Sequence, residues 1–99
     1  MARFDVYNNP HSSGYLLDVQ TDLLDPLNTR VVVPLLPASI APEPARHLNP
    51  LFTVNGQKVQ MATQFIAAVP VSLLTDPVAQ VPDEFAEITG ALDFLFQGF

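Results

Sequence analysis

Residues 83–99, DEFAEITGALDFLFQGF, restrict the fold of this chain most. The apolar residues Phe85, Ile88, Leu92, Leu95 and Phe96 fall 3, 4, 3 and 1 positions apart, which places them on one face of an α-helix. No other segment of comparable length has a helical period, so the spacing predicts a single long helix in a mostly β protein. Five large side chains buried on that face would contribute ~1.5–3 kcal/mol each in gross transfer terms, enough to make the helix a main wall of the core. Pro82 suits the first helical position, where its missing N–H is no loss. Asp83, Glu84 and Glu87 suit the positive end of the helix dipole. Gly90 costs the helix about 1 kcal/mol against alanine and marks an expected close approach. Phe94 points off the predicted core face. The chain runs through Gln97 and Gly98 to an aromatic end, Phe99, where most termini are polar and frayed, and such an end calls for a partner.

The rest of the chain reads as short strands and turns. Phe4 and Val6 alternate with Arg3 and Asp5, predicting a strand over 3–7, and β character resumes over 15–21. Between them, Asn8 to Gly14 is a turn-rich loop. Residues 22–28 form a connection in which Leu23 and Leu24 lie between Asp22 and Asp25, and Pro26 excludes the centre of a strand. Val31-Val32-Val33 is the strongest β-branched run, predicting a central strand over 29–36 with Pro34 at its end or at a bulge. Four prolines between positions 37 and 50 predict a long loop with a helical turn in it, functional or mobile. Asn55-Gly56 separates Phe52 and Val54 from Val59 and Met61, the signature of a type I′ hairpin. Residues 67–74 read as a further strand, confined to an edge by Pro70. Thr75-Asp76-Pro77 is a turn. The expected architecture is a small, twisted, mostly antiparallel sheet followed by a C-terminal helix, in one domain over 1–99.

Composition narrows the function. Of 99 residues only four are basic, against ten acidic, and the net charge is −6. Arg3, Arg30, Arg46 and Lys58 are scattered along the sequence, which argues against direct nucleic-acid binding and for protein partners that present basic residues. No cysteine is present, so disulfides and thiolate chemistry are excluded, in keeping with a reducing cytoplasm. There is neither an apolar leader at the start nor an apolar run long enough to span a bilayer, and the expectation is a cytoplasmic protein without membrane contact.

The signals for chemistry are weak. His11 and His47 lie in separate loops with no Cys/His cluster, and read as ordinary surface histidines rather than metal ligands. Asp22 and Asp25 flank a turn, where aspartate commonly bonds its own backbone. Asp18, inside a strand, is expected to make a buried or half-buried hydrogen bond to a loop. The serines sit outside any nucleophile motif, and the glycines form no phosphate-cradling loop. Neither catalytic residues nor a cofactor are expected. Leu23-Leu24, Phe94 and the Gly98-Phe99 end remain as apolar surface, which marks interaction more often than catalysis.

Several segments, in order, resemble one family. Asp18-Val19-Gln20-Thr21-Asp22-Leu23-Leu24-Asp25 is similar to the Asp-Val-Gln-Ser-Asp-Ile/Leu-Ile/Leu-Asp segment of the CcdB toxins of bacterial toxin–antitoxin modules. Val31-Val32-Val33-Pro34-Leu35 and Val69-Pro70-Val71-Ser72 resemble two further family segments. Phe4-Asp5-Val6-Tyr7 and Leu95-Phe96-Gln97-Gly98-Phe99 resemble its two ends. The resemblance implies a small SH3-like antiparallel barrel, CcdB/PemK-like, with a C-terminal helix and a two-fold homodimer. It implies poisoning of DNA gyrase, by lodging the C-terminal ends in the gyrase A subunit dimer and trapping cleaved DNA. It also implies neutralisation by a disordered, CcdA-like antitoxin. Carried over by position, the gyrase-binding set is Leu23, Leu24, Asp93, Phe96, Gln97, Gly98 and Phe99. Gln97 stands where the well-studied toxins carry a tryptophan that stacks on a gyrase arginine, so a contact worth about 0.5–2 kcal/mol is missing. Asp93 replaces an asparagine and Phe99 a final isoleucine. The alternatives are an mRNA endoribonuclease of the MazF/PemK type, which needs an active arginine such as Arg30, and a CcdB-fold protein that binds antitoxin without poisoning gyrase.

Overall fold

In the computed structural model, residues 2–81 and 84–98 are described, with the side chain of Phe85 left aside. Seven strands and one α-helix follow in the order β1 (Asp5–Asn8), β2 (Tyr15–Asp18), β3 (Thr29–Pro37), β4 (Leu51–Val54), β5 (Gln57–Met61), β6 (Ala67–Pro70), β7 (Ala79–Gln80) and α1 (Phe85–Gln97). All pairings are antiparallel, in the order β4-β5-β3-β2-β1-β7, with β6 also on β3. The mostly β architecture with a single C-terminal helix agrees with the sequence reading. Among the described residues no helix is long and apolar enough to cross a membrane.

The strand β3 organises the sheet by changing partners along its length. Its first half, Thr29 to Val32, pairs with β6, and its last part, Leu35 to Pro37, pairs with β5. Pro34 therefore stands inside the strand, not at its end or at a bulge as the sequence suggested. Its carbonyl accepts from the Ala62 N–H at 2.9 Å, on the side where β5 gives way to β6. A residue's N and C=O point the same way in a strand, so the proline's missing donor falls in that gap and spares the ladder to β2. The sheet curls until its ends meet: the Asn55 side-chain amide, at the β4–β5 tip, donates to the Val78 carbonyl at 3.2 Å, just before β7. Asn55 and Gly56 both have positive φ (50° and 81°), as the predicted type I′ turn requires.

Three expected strand boundaries shift. The first strand starts at Asp5, because Phe4 is buried with φ of 72°, outside the β region. β2 stops at Asp18. The expected strand over 67–74 ends at Pro70 and turns into a 3-10 turn, Val71–Leu73, while β6 keeps its predicted edge position with β3 as its partner. β7, two residues long, carried no sequence signal.

The main core lies between the curled sheet and α1, and includes Val6, Leu17, Val33, Leu35, Val59, Met61, Ile88 and Ala91. A second, smaller apolar cluster lies on the opposite face of β1, β2 and β3: Tyr7, Leu16, Val32 and Leu74. These strands are thus covered on both sides. The long loop after β3 is anchored rather than loose. The Asn49 amide donates to the Met61 carbonyl (2.9 Å) and to Gln64 Oε1 (2.8 Å), and the Thr63 hydroxyl donates to the Leu48 carbonyl. Within it, the N–H groups of Leu48 and Asn49 close the expected turn onto the Ala45 carbonyl.

Candidate functional site

The helix α1 presents three different faces. Ile88 and Ala91 are fully buried, and Leu92 and Leu95 are half-buried beside them. Phe96, which the sequence places both on the apolar stripe and in the contact set, is 69% exposed and lies outside the core. Phe94, read as pointing off the core, is the half-buried one, with its ring 5.9 Å from that of His47. The two phenylalanines flank the buried stripe on opposite sides, and the anchored 44–51 loop stands over only one of them. Helical spacing alone does not distinguish the flanks. Phe85 lies at the start of the helix with its side chain outside the described residues, as are Pro82 and Asp83. The helix N-cap, Glu84, makes no side-chain cap bond.

Between the loop and α1 runs a mostly apolar groove of about 770 Å³, bordered by Pro44, His47, Leu51, Gly90, Phe94 and Gly98. Gly90 was expected to mark close packing. Instead, a Cβ there would meet nothing within 4 Å, so the glycine leaves the groove wide. Both histidines are exposed, as expected.

On the solvent side, Asp93, Phe96 and Gln97 follow at i, i+3 and i+4 and are all exposed, forming one continuous face at the last turn. Gly98 ends the helix with φ of 82°, its N–H donating to the Phe94 carbonyl at 2.9 Å. The left-handed cap gives this glycine a conformational role of its own. Phe99 lies outside the described residues.

Leu23 and Leu24 belong to a 3-10 turn, Asp22–Leu24, between β2 and β3. Leu23 is 89% exposed. The turn is capped by Thr21, whose hydroxyl accepts from the Leu23 N–H at 3.3 Å. Asp22 and Asp25 were expected to bond their own backbone, but their carboxylates turn to Arg30, and Asp22 Oδ1 also accepts from the Arg3 N–H at 2.9 Å. Sequence reasoning named Arg30 only for the ribonuclease alternative and missed its place as a buried partner of these carboxylates. Its side chain is fully buried beside an equally buried Asp18, with Nη2 2.7 Å and Nε 2.9 Å from Asp18 Oδ2. Its Nη1 reaches Asp25 at 3.2 Å, and its Nη2 reaches Asp22 at 3.4 Å and donates to the Gln20 carbonyl at 3.2 Å. Burial pushes the Asp18 carboxyl up, against the hydrogen bonds from Arg30 and from the Gln20 N–H. Burial also pulls Arg30 down, but the hydrogen bonds and charges of Asp18, Asp22 and Asp25 together outweigh this and leave the guanidinium above its usual value. The available signal was strand parity, which puts Arg30 on the same face of β3 as buried Val32, directly opposite Asp18.

The candidate site thus has two exposed parts on separate elements, the Leu23–Leu24 turn and the last turn of α1. Both are apolar at their tips and acidic at their edges, and neither holds a nucleophile–base pair. A model of the CcdB family, described as CcdB protein, matches residues 3–98, nearly the whole chain and both parts of the site. The chain belongs to this family. CcdB proteins are toxins of toxin–antitoxin modules, and they poison their target rather than catalyse a reaction.

Proposed function

We propose that this CcdB-family protein is a gyrase-directed toxin. As a cytoplasmic homodimer it engages the DNA gyrase A subunit through Leu23, Leu24, Asp93, Phe96, Gln97, Gly98 and Phe99, and traps the gyrase–DNA cleavage complex. The observation that carries this reading is the exposure of Leu23 and Phe96, at 89% and 69%. Large apolar side chains left this open gain nothing from folding and gain most when a partner covers them. The acidic residue beside Phe96 and Gln97, Asp93, suits a surface presenting arginine or lysine. A disordered, CcdA-like antitoxin then competes for the toxin. Gln97 provides hydrogen bonding where an aromatic would stack, so the contact depends more on Phe96 and Phe99.

The burial of Arg30 among three carboxylates disfavours the ribonuclease alternative. A guanidinium held this way is not available to a scissile phosphate.

The test is a cleavage-complex assay with gyrase from the same organism. Purified protein is expected to accumulate cleaved DNA, and removal of Gly98 and Phe99 to abolish this while thermal unfolding stays nearly unchanged. No cleaved product with that gyrase overturns the proposal. Binding to the antitoxin without growth arrest on expression would then identify a CcdB-fold protein that no longer poisons.

A further inference from the structure

Residues 21–29 are exposed along their whole length, yet two buried side chains tie this connection down from beneath. Arg30 holds the carboxylates on either side of the leucine pair, Asp25 by Nη1 and Asp22 by Nη2. The Gln20 side chain takes the backbone: its amide donates to the carbonyls of Leu24 and Thr29 at 3.4 Å each, and its Oε1 accepts from the Val31 N–H at 3.0 Å. Asp18 alone already neutralises Arg30. Two further carboxylates, each more than half exposed, make the cluster net acidic and add little to stability. Their effect is local order in a segment whose most exposed residue is Leu23.

We infer that Arg30 and Gln20 are positioning residues for target binding, holding Asp22 and Asp25 as a clamp that presents Leu23 and Leu24 in one orientation. This rests on the gyrase reading and assigns the clamp a role in affinity rather than in folding. Fixing the turn beforehand removes an ordering cost that binding would otherwise meet. The two aspartates therefore act on the target through the leucines.

The experiment is a double-mutant cycle on the full chain, with binding to the gyrase A cleavage domain measured by calorimetry. Asp22→Asn combined with Asp25→Ala keeps the acceptor for the Arg3 N–H and leaves the buried Asp18–Arg30 pair intact. Affinity is expected to fall about tenfold, the equivalent of losing the order of roughly one backbone residue. In a Leu23→Ala/Leu24→Ala background the same changes are expected to alter affinity less than about twofold. Amide hydrogen exchange is followed in parallel on the free protein. The Leu24, Asp25 and Leu27 N–H groups, bonded to Thr21, Asp22 and Leu24 carbonyls, should exchange faster in the variant. Unchanged affinity or unchanged exchange overturns the clamp, and so does an equal loss in both backgrounds, which would mean direct contact by the aspartates. Failure of the unmodified protein to bind overturns the gyrase reading instead, so the two failures are distinct.

Discussion

Tyr7 illustrates how a single residue can carry an unmet demand. Its hydroxyl is buried in the second apolar cluster and has no hydrogen-bond partner among the described residues. Burial pushes its pKa up to about 12, with the charges of Asp5 and Asp18 adding to the effect. The folded state thus keeps the phenol proton over a range where the unfolded chain has lost it. Stability is fully present below pH 10 and falls by about 1.4 kcal/mol per pH unit until about pH 12. Tyr7→Phe is expected to flatten this alkaline limb in urea unfolding followed from pH 9 to 12. At pH 7 it should be neutral or slightly stabilising, because an unsatisfied buried hydroxyl is removed without loss of shape.

At the scale of the element, α1 places a buried stripe and an open flank side by side within four turns. Ile88→Ala opens the core beneath the helix and is expected to cost about 2–5 kcal/mol in denaturant unfolding. Phe96→Ala, on the open flank, should change stability by less than about 0.5 kcal/mol while weakening gyrase binding. The apolar period that revealed the helix in the sequence could not make this division. Phe94 and Phe96 are equally apolar and similarly spaced from the stripe, and the 44–51 loop, far away in sequence, covers only Phe94. The 21–28 connection was similarly only half legible. Pro26 and the aspartates indicated a turn, but nothing local identified Arg30 as the partner of both carboxylates.

The whole molecule depends on a sheet closing on itself. The Asn55–Val78 hydrogen bond joins the tip of β4–β5 to the entry of β7, the two ends of the strand order. Asn55→Gly retains a residue that tolerates positive φ and removes only the side-chain bond. It is expected to lower the unfolding free energy by about 0.5–1.5 kcal/mol, and to speed hydrogen exchange of the Val78 and Val81 amides, which bond to Val6 and Phe4 carbonyls. Arg30 and Asp18 add a second long-range tie, between β3 and β2, on the face away from the main core.

Local chemistry alone determined the single helix, the central β-branched strand, the Asn-Gly hairpin and the edge placement of β6, because period and turn preference act between residues close in sequence. The exposed Leu23–Leu24 pair and the family were legible for the same reason, being carried by short contiguous segments. Only the tertiary structure decided the Asp18–Arg30 pair, the interior position of Pro34, the brief β7 pairing and which phenylalanine faces solvent. Each depends on which strand or loop lies alongside, and that neighbour is set by register across the closed sheet rather than by the residue's own surroundings in the chain.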